Sequence, residues 1–281
     1  MIPVLFKIPL PFSLFGFDAI PINSYGLLLV CGFFNAYFLL KKEFRFRGVD
    51  EQFASTGITI GMLSAIVGSR LFHVLEHPGA YTGSLHNFLK IFRGSGFSWY
   101  GGFVFAATSI IWTARRRGIH WSTMVDATAP AIAIGYGFGR MGCFLAGDGC
   151  YGRPCTALNL DWHTPLCMAF PNGAVPTREL VLNTPLIELA GAILLFTYLQ
   201  LIRRRLKTPT LLFAQMVIIH SVLRFTIEFV RVNPKLALGL SQAQWVSIVG
   251  VGIGGWLVWY GPRLRRPEPG TEPVQKKPGK K

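Results

Sequence analysis

Apolar residues recur along this chain in seven long stretches, about 23–40, 53–75, 97–114, 123–145, 184–202, 210–230 and 241–260. A helix needs about 20 apolar residues to cross the hydrocarbon core of a bilayer, and a helix satisfies its own backbone there. The pattern predicts an all-α, polytopic membrane protein with seven transmembrane helices. The polar positions between the stretches set the direction. Basic runs follow the first, third, fifth and seventh stretches at once: Lys41, Lys42, Arg45 and Arg47; Arg115, Arg116 and Arg117; Arg203, Arg204, Arg205 and Lys207; and Arg263, Arg265 and Arg266 with the Lys-rich end. Positive residues stay on the cytoplasmic side. The N-terminus is therefore expected outside, in the periplasm, and the C-terminus in the cytoplasm, which requires an odd number of spans.

Three connections then fall on the outer side, about 76–96, 146–183 and 231–240. Residues 1–22 are apolar but broken by prolines and show no A-x-A cleavage site. They are expected to form an amphipathic interfacial segment. Residues 23–260 form the transmembrane part, and 261–281 a basic, Pro- and Lys-rich cytoplasmic tail near anionic lipid.

Composition changes this picture in one respect. Hydrophobic residues make up 51% and charged residues 15%, with a mean hydropathy of +0.41 and a formal charge of +15. Soluble chains average about 25% charged residues, so a soluble enzyme and a disordered chain are excluded. The charge suggests a nucleic-acid partner until it is located. The stretches assigned to the cytoplasm hold 18 of the 28 basic residues against five acids, or +13 of the +15. The charge records orientation in the membrane, and no nucleic-acid partner is expected.

The chemistry lies in the remainder. Ionisable residues at membrane depth are costly and usually functional. Arg70 ends the second stretch, Asp126 and Arg140 lie at opposite ends of the fourth, and Glu188 begins the fifth. Asp126, near the start of its helix, is read as complementing that helix's dipole. On the sixth stretch His220, Arg224, Glu228 and Arg231 stand at i, i+4, i+8 and i+11. That spacing puts all four on one stripe, with Arg224–Glu228 and Glu228–Arg231 close enough to pair. A purely structural ladder remains open, but apolar residues would pack helices at lower cost.

Arg140 sits among glycines in the run IAIGYGFGRMGCFLAGDGCYG, with Asp148 following. Glycine admits close backbone approach, either to another helix or to a ligand. Exposed N–H groups beside a guanidinium suit a phosphate. A second cluster, Gly94 to Phe103, presents Tyr100 before Gly101 and Gly102. Inward arginines in an apolar bundle open to lipid point to a phospholipid head group. A transporter with a midplane anion site is the competing reading.

The motifs resemble those of the prolipoprotein diacylglyceryl transferases of bacterial inner membranes, from about Pro21 to Tyr260. The family's G-R-x-G-N-F signature reads Gly139-Arg140-Met141-Gly142-Cys143-Phe144 and continues to Gly147-Asp148 and Tyr151-Gly152. Its early Tyr-Gly is Tyr25-Gly26, its G-R-L is Ser69-Arg70-Leu71, and its H-G-G is Tyr100-Gly101-Gly102. Its aspartate fourteen residues before the signature arginine is Asp126. Its R-F-x-x-E-x-x-R runs from Arg224 to Arg231, with Glu228 as the acid.

The resemblance implies seven helices with the N-terminus outside. It also implies transfer of the diacylglyceryl group of phosphatidylglycerol to the thiol of the lipobox cysteine in a prolipoprotein signal peptide, with release of glycerol phosphate. Arg140, Arg224, His220 and Tyr100 are then the catalytic candidates. Arg140, Gly142, Asp148, Tyr25, Arg70, Gly101, Gly102, Glu228 and Arg231 are the candidates for holding phosphatidylglycerol. Membrane lipids are the surroundings, and no cofactor or metal is implied. A paralogue with another acceptor or lipid, and a non-catalytic lipid-binding or transport protein, are the alternatives.

The chain also departs from the family pattern. The family histidine is Tyr100, and a neutral phenol of pKa about 10 is a poor base. The tyrosine four residues before the R-F-x-x-E motif is His220, which is expected to supply the missing imidazole across one cavity. The signature Asn is Cys143 and the Glu is Asp148. Of H-P-x-x-L-Y-E before the fifth stretch, Leu182 to Glu188 keeps only the Leu and Glu.

Cys143, Cys150, Cys155 and Cys167 lie in or beside the long outer connection, where an oxidising compartment favours disulfides. Four cysteines permit three pairings. A disulfide is preferred to zinc because the spacing matches no zinc pattern. Cys31 is read as a small core residue. His73, His77 and His86 are read as interfacial polar residues, and Ser241 as the cap of the last helix with Trp245 as its anchor.

Overall fold

The computed structural model describes residues 2–14, 17–81, 98–159 and 165–264. His86, Gly94, Gly96 and His163, and the tail beyond Leu264, lie outside the described residues. Seven α-helices run through those that are described: α1 Ser24–Phe46, α2 Phe53–Glu76, α3 Trp99–Arg116, α4 Trp121–Ala146, α5 Thr184–Ile202, α6 Leu211–Ile227 and α7 Gln242–Tyr260. A single 3₁₀ turn, Glu228–Val230, prolongs α6. Helices α1, α2 and α5 and the segment Leu211–Val230 are long and apolar enough to cross a membrane. The other three are more dilute: α3 ends on Arg115 and Arg116, α4 carries Asp126 and Arg140, and α7 is rich in glycine.

The outward faces confirm a lipid environment for the mostly helical chain. Phe34 and Phe38 on α1 are exposed, and Leu194 and Leu201 on α5 keep 71% and 70% of their surface open. Large apolar patches of this kind do not face water in a monomeric soluble protein. Cys31, expected in the core, is instead exposed on α1. A lipid-facing position is as apolar as a core position, so hydropathy does not separate the two.

The all-α expectation needs a correction. The segment expected to lie at the interface forms a β-hairpin, with β1 Val4–Leu14 antiparallel to β2 Phe17–Asn23 and Ile8 opposite Ile20. Prolines at 3, 9, 11 and 21 oppose a helix here. Within the long connection, β3 Cys167–Met168 pairs with β4 Val181–Leu182.

Two compact units emerge. One holds the described residues up to Leu39 and from Val125 onward. The other holds Leu40–Met124. In the second unit α2 packs on α3 with the backbones in contact. A Cβ added at Gly68 would come 2.5 Å from the Gly101 carbonyl, and one at Gly102 would come 3.3 Å from the Ala65 carbonyl. Ser98 ties the start of α3 to the end of α2, donating from its N–H to Ser69 O at 2.9 Å and from its hydroxyl to Glu76 Oε1 at 3.1 Å.

In the first unit α6 packs on α5 and α7. Ala129 and Ala133 of α4, Leu195 and Leu199 of α5, and Leu212 and Met216 of α6 form one core. Asp126 does complement a helix dipole, but not that of its own helix. Its carboxylate accepts from the Thr210 and Phe213 N–H groups at 2.9 and 3.0 Å and so caps α6. Helix α5 starts on Asn183, whose side chain accepts from Leu186 N. Helix α7 starts on a capping box of Ser241 and Gln244, as expected for Ser241. The Trp245 indole donates to Ala237 O at 3.2 Å.

Candidate functional site

Glu188 is the hub of the site. It lies in the second turn of α5 and is buried. The α4 side chains Tyr136 and Arg140 both reach it. The Tyr136 hydroxyl donates to Oε2 at 2.9 Å, and Arg140 Nε pairs with the same oxygen. Arg224 Nη1 and Arg231 Nη1 approach Oε1 at 3.2 and 3.4 Å. Helical spacing explains this convergence. Tyr136 and Arg140 are four apart on α4, and Arg224 is one helical turn from Glu228.

The stripe on α6 pairs as its spacing requires. Arg224 Nη1 lies 2.7 Å from Glu228 Oε2, and Arg231 Nε lies 3.7 Å from it. Asn233 donates to the other Glu228 oxygen. The 3₁₀ turn after α6 swings Arg231 back, and an antiparallel bridge to Gly152 fixes its backbone. Gly152 admits this approach, since a Cβ there would lie 2.8 Å from the Val230 carbonyl. Three guanidinium groups thus face two carboxylates and leave one positive charge over. The Arg140 guanidinium also lies over the Tyr136 ring at 4.8 Å, and the His220 ring stands edge-on to Tyr136 at 4.5 Å.

Tyr25 and Gly142 adjoin this cluster. A Cβ on Gly142 would lie 2.8 Å from Tyr25 Cδ2, so the glycine makes room for the ring. Arg140 Nη1 reaches toward Cys143 Sγ at 4.0 Å. Beyond α4 the chain turns sharply at Gly147 (φ +61°) and Gly149 (φ +87°), which flank Asp148. The donor atoms of Cys143, Asp148 and Cys150 all lie within 4.8 Å of one another and could hold a metal ion. The Cys150 thiol is lowered to about 6 by a hydrogen bond with Cys143, assisted by Arg231 and Arg140.

The remaining cysteines of the connection, Cys155 and Cys167, form a disulfide. Of the three pairings left open by the sequence, this one survives in part, because the other two thiols are free.

Arg70, Tyr100, Gly101 and Gly102 belong to the other unit. Arg70 lies over the Tyr81 ring at 5.5 Å, and Tyr100 is half-buried in the first turn of α3. Gly101 and Gly102 serve the α2–α3 contact described above. In the same unit His73, Glu76 and His77 form a second donor group, with the two rings 4.6 Å apart.

Sequence reasoning undervalued Glu188 and missed Tyr136. The signal for Glu188 was present: three buried arginines require carboxylates, and Glu188 is an acid inside an apolar stretch. Tyr136 carried no such signal, because aromatic residues are common on buried helix faces.

The fold and site define a class: a helical membrane protein with an arginine–carboxylate cluster suited to an anionic head group. The family model for Prolipoprotein diacylglyceryl transferase matches residues 12–260, and the chain belongs to that family. Among its relatives, a phosphatidylglycerol–prolipoprotein diacylglyceryl transferase of Leptospira interrogans is 30% identical over 92% of this chain and 96% of its own length. Proteins of the same name from Clostridium tetani and Methylibium petroleiphilum are 29% and 30% identical, over 88% and 86% of this chain and 94% and 93% of theirs.

Proposed function

We propose that this chain transfers the diacylglyceryl group of phosphatidylglycerol to the lipobox cysteine thiol of a prolipoprotein signal peptide, releasing glycerol phosphate. It does so in the bacterial inner membrane. Residues 23–260 cross seven times with the N-terminus periplasmic, and 261–281 are a cytoplasmic tail. The observation that carries the reading is the convergence of Arg140, Arg224 and Arg231 on Glu188, within a chain of this family.

The reaction breaks a C–O bond to phosphate and forms a C–S bond. Negative charge grows on the departing phosphate, so stabilising it is the main task. Arg140 and Arg224 bind the phosphate, since a guanidinium fork matches its oxygens. Glu188 and Glu228 hold the forks in place, and Arg231 completes the frame. Holding the donors before the reaction avoids the cost of reorganising them during it. Tyr25, Gly142 and Asp148 line the approach beside Arg140. His220 is the imidazole that takes the acceptor's proton.

Rescue of a strain depleted of its own diacylglyceryl transferase tests the reading. The wild-type chain is expected to restore growth and thioether-linked lipoprotein, and Arg140→Ala and Arg224→Ala are expected to fail although inserted. Failure of the correctly inserted wild type overturns the reading in favour of another acceptor or a binding protein.

A further inference from the structure

The thiol of the acceptor is the weak point of this chemistry. It ionises with a pKa of about 8.5, and the thiolate is the nucleophile. Tyr100 stands where the family has an imidazole, and a neutral phenol is a poor base. A divalent metal ionises a thiol by coordination, with no strong base required.

Cys143, Asp148 and Cys150 supply the donors for such a metal. Their Sγ and carboxylate atoms lie within 4.8 Å of one another, close enough to hold one metal ion between them. The thiols are free, whereas Cys155 and Cys167, further along the same connection, are joined. The three donors are carried on a pinned backbone. Gly147 N bonds to Cys143 O at 2.9 Å, Val175 N to Gly147 O at 2.8 Å, and Thr184 Oγ1 to Cys150 O at 2.5 Å. Two thiolates and one carboxylate outweigh a divalent charge by one, and Arg140, 4.0 Å from Cys143 Sγ, offsets the excess. Two soft sulfurs with one oxygen suit zinc rather than magnesium or calcium. Three protein ligands leave the fourth position open, as in catalytic zinc sites.

We propose that Cys143, Asp148 and Cys150 bind zinc, and that its open position takes the sulfur of the acceptor cysteine. This role rests on the transfer reading above, but the metal site itself does not. The acceptor thiol coordinates and sheds its proton to His220 and then to water. Its sulfur attacks the glyceryl carbon that bears the phosphate. The C–S bond forms as the C–O bond breaks, and the electron pair leaves with glycerol phosphate against Arg140 and Arg224. The zinc is neither oxidised nor reduced and retains its three protein ligands.

The test uses the full chain purified in detergent without a polyhistidine tag. Zinc is measured by mass spectrometry and then exchanged for Co²⁺. The expected result is stoichiometric zinc and a sulfur-to-cobalt charge-transfer band in the near ultraviolet. Cys150→Ser and Asp148→Asn should each weaken zinc binding by at least the roughly 10–100-fold seen when a ligand's supporting hydrogen bond is removed. Cys31→Ser, on the exposed face of α1, should keep the metal and the band.

Free thiols at Cys143 and Cys150 that take up neither Zn²⁺ nor Co²⁺ would overturn the site, as would a Cys143–Cys150 disulfide in the purified protein. If Cys150→Ser does not fold, the wild-type cobalt spectrum and Asp148→Asn still decide. Transfer that is lost on chelation and restored by zinc supports the catalytic role. Transfer indifferent to zinc removal overturns that role. Zinc bound without any transfer leaves the site standing and removes the function; transfer by a metal-free chain does the reverse.

Discussion

The α2–α3 pair and the α4–α5–α6 region are both helix packings in an apolar chain, and they are held in opposite ways. Helix α2 meets α3 with backbone against backbone at Gly68 and Gly101. The α4–α5–α6 region instead gathers Arg140, Glu188, Arg224, Glu228 and Arg231 into one buried network. Lipid tails are as apolar as leucine, so helices in a membrane gain little from hydrophobic contact alone. Small residues solve that problem through close van der Waals packing. A charged network solves it expensively, because each buried ion costs several kcal/mol before it is paired. The costly solution appears where the proposed function places the anionic head group.

Substitutions can break this contrast, and the largest effect is expected at the hub. Glu188→Ala leaves three guanidinium groups short of a buried partner. A loss of about 3–5 kcal/mol is expected, with abolished transfer, and thermal unfolding in detergent together with lipoprotein labelling reads both. Next comes Arg140→Ala, where kcat/KM for transfer should fall roughly 10²–10³-fold, the effect of removing one charge-stabilising donor. Its stability loss should be smaller than that of Glu188→Ala, because Arg224 and Arg231 still neutralise Glu188. An equal loss of stability in the two variants would mean the network is structural only.

The glycine region should respond in the reverse sense. Gly101→Val meets the backbone of Gly68 and cannot be relieved by a rotamer change. It should cost stability of the order of 1–3 kcal/mol, while transfer by the surviving folded fraction stays near normal. Helix-crossing disulfide trapping between α2 and α3 would report the separation.

The smallest effect is expected at Glu51. It accepts from Arg45 at 2.6 and 2.7 Å, which holds its carboxyl below the usual range. A depressed carboxyl contributes stability that is present above its unfolded pKa of about 4.3 and lost as pH falls through the folded value. The pair is solvated, so Glu51→Gln should leave the melting temperature unchanged at pH 7 and at pH 4. A clear shift at pH 7 would show that exposed pairs matter more here than the buried network implies.

Much of the fold was legible because the bilayer imposes it. The boundaries of α2, α4, α5 and α7 fall within a few residues of the apolar stretches, since an apolar segment away from water must satisfy its own backbone. Spacing on α6 also gave the Arg224–Glu228 and Glu228–Arg231 pairs, which are local. The N-terminal hairpin was less legible, because its apolar composition overshadowed four prolines that favour extended chain. Cys31 was misplaced because lipid and core select the same side chains.

The sequence by itself determined the helices, their order, and the identity of the family through its arginine motifs. It also determined which residues bear charge inside the apolar stretches, since that follows from composition along one dimension. Tertiary structure alone decided that Glu188 joins Arg140 and Arg224 from two other helices, and that Asp126 caps α6 rather than its own helix. It alone decided that Cys155 pairs with Cys167 while Cys143 and Cys150 stay together beside Asp148. Each of these depends on segments brought together by packing. Coulomb and coordination chemistry act over a few ångströms of space, whatever the separation along the chain.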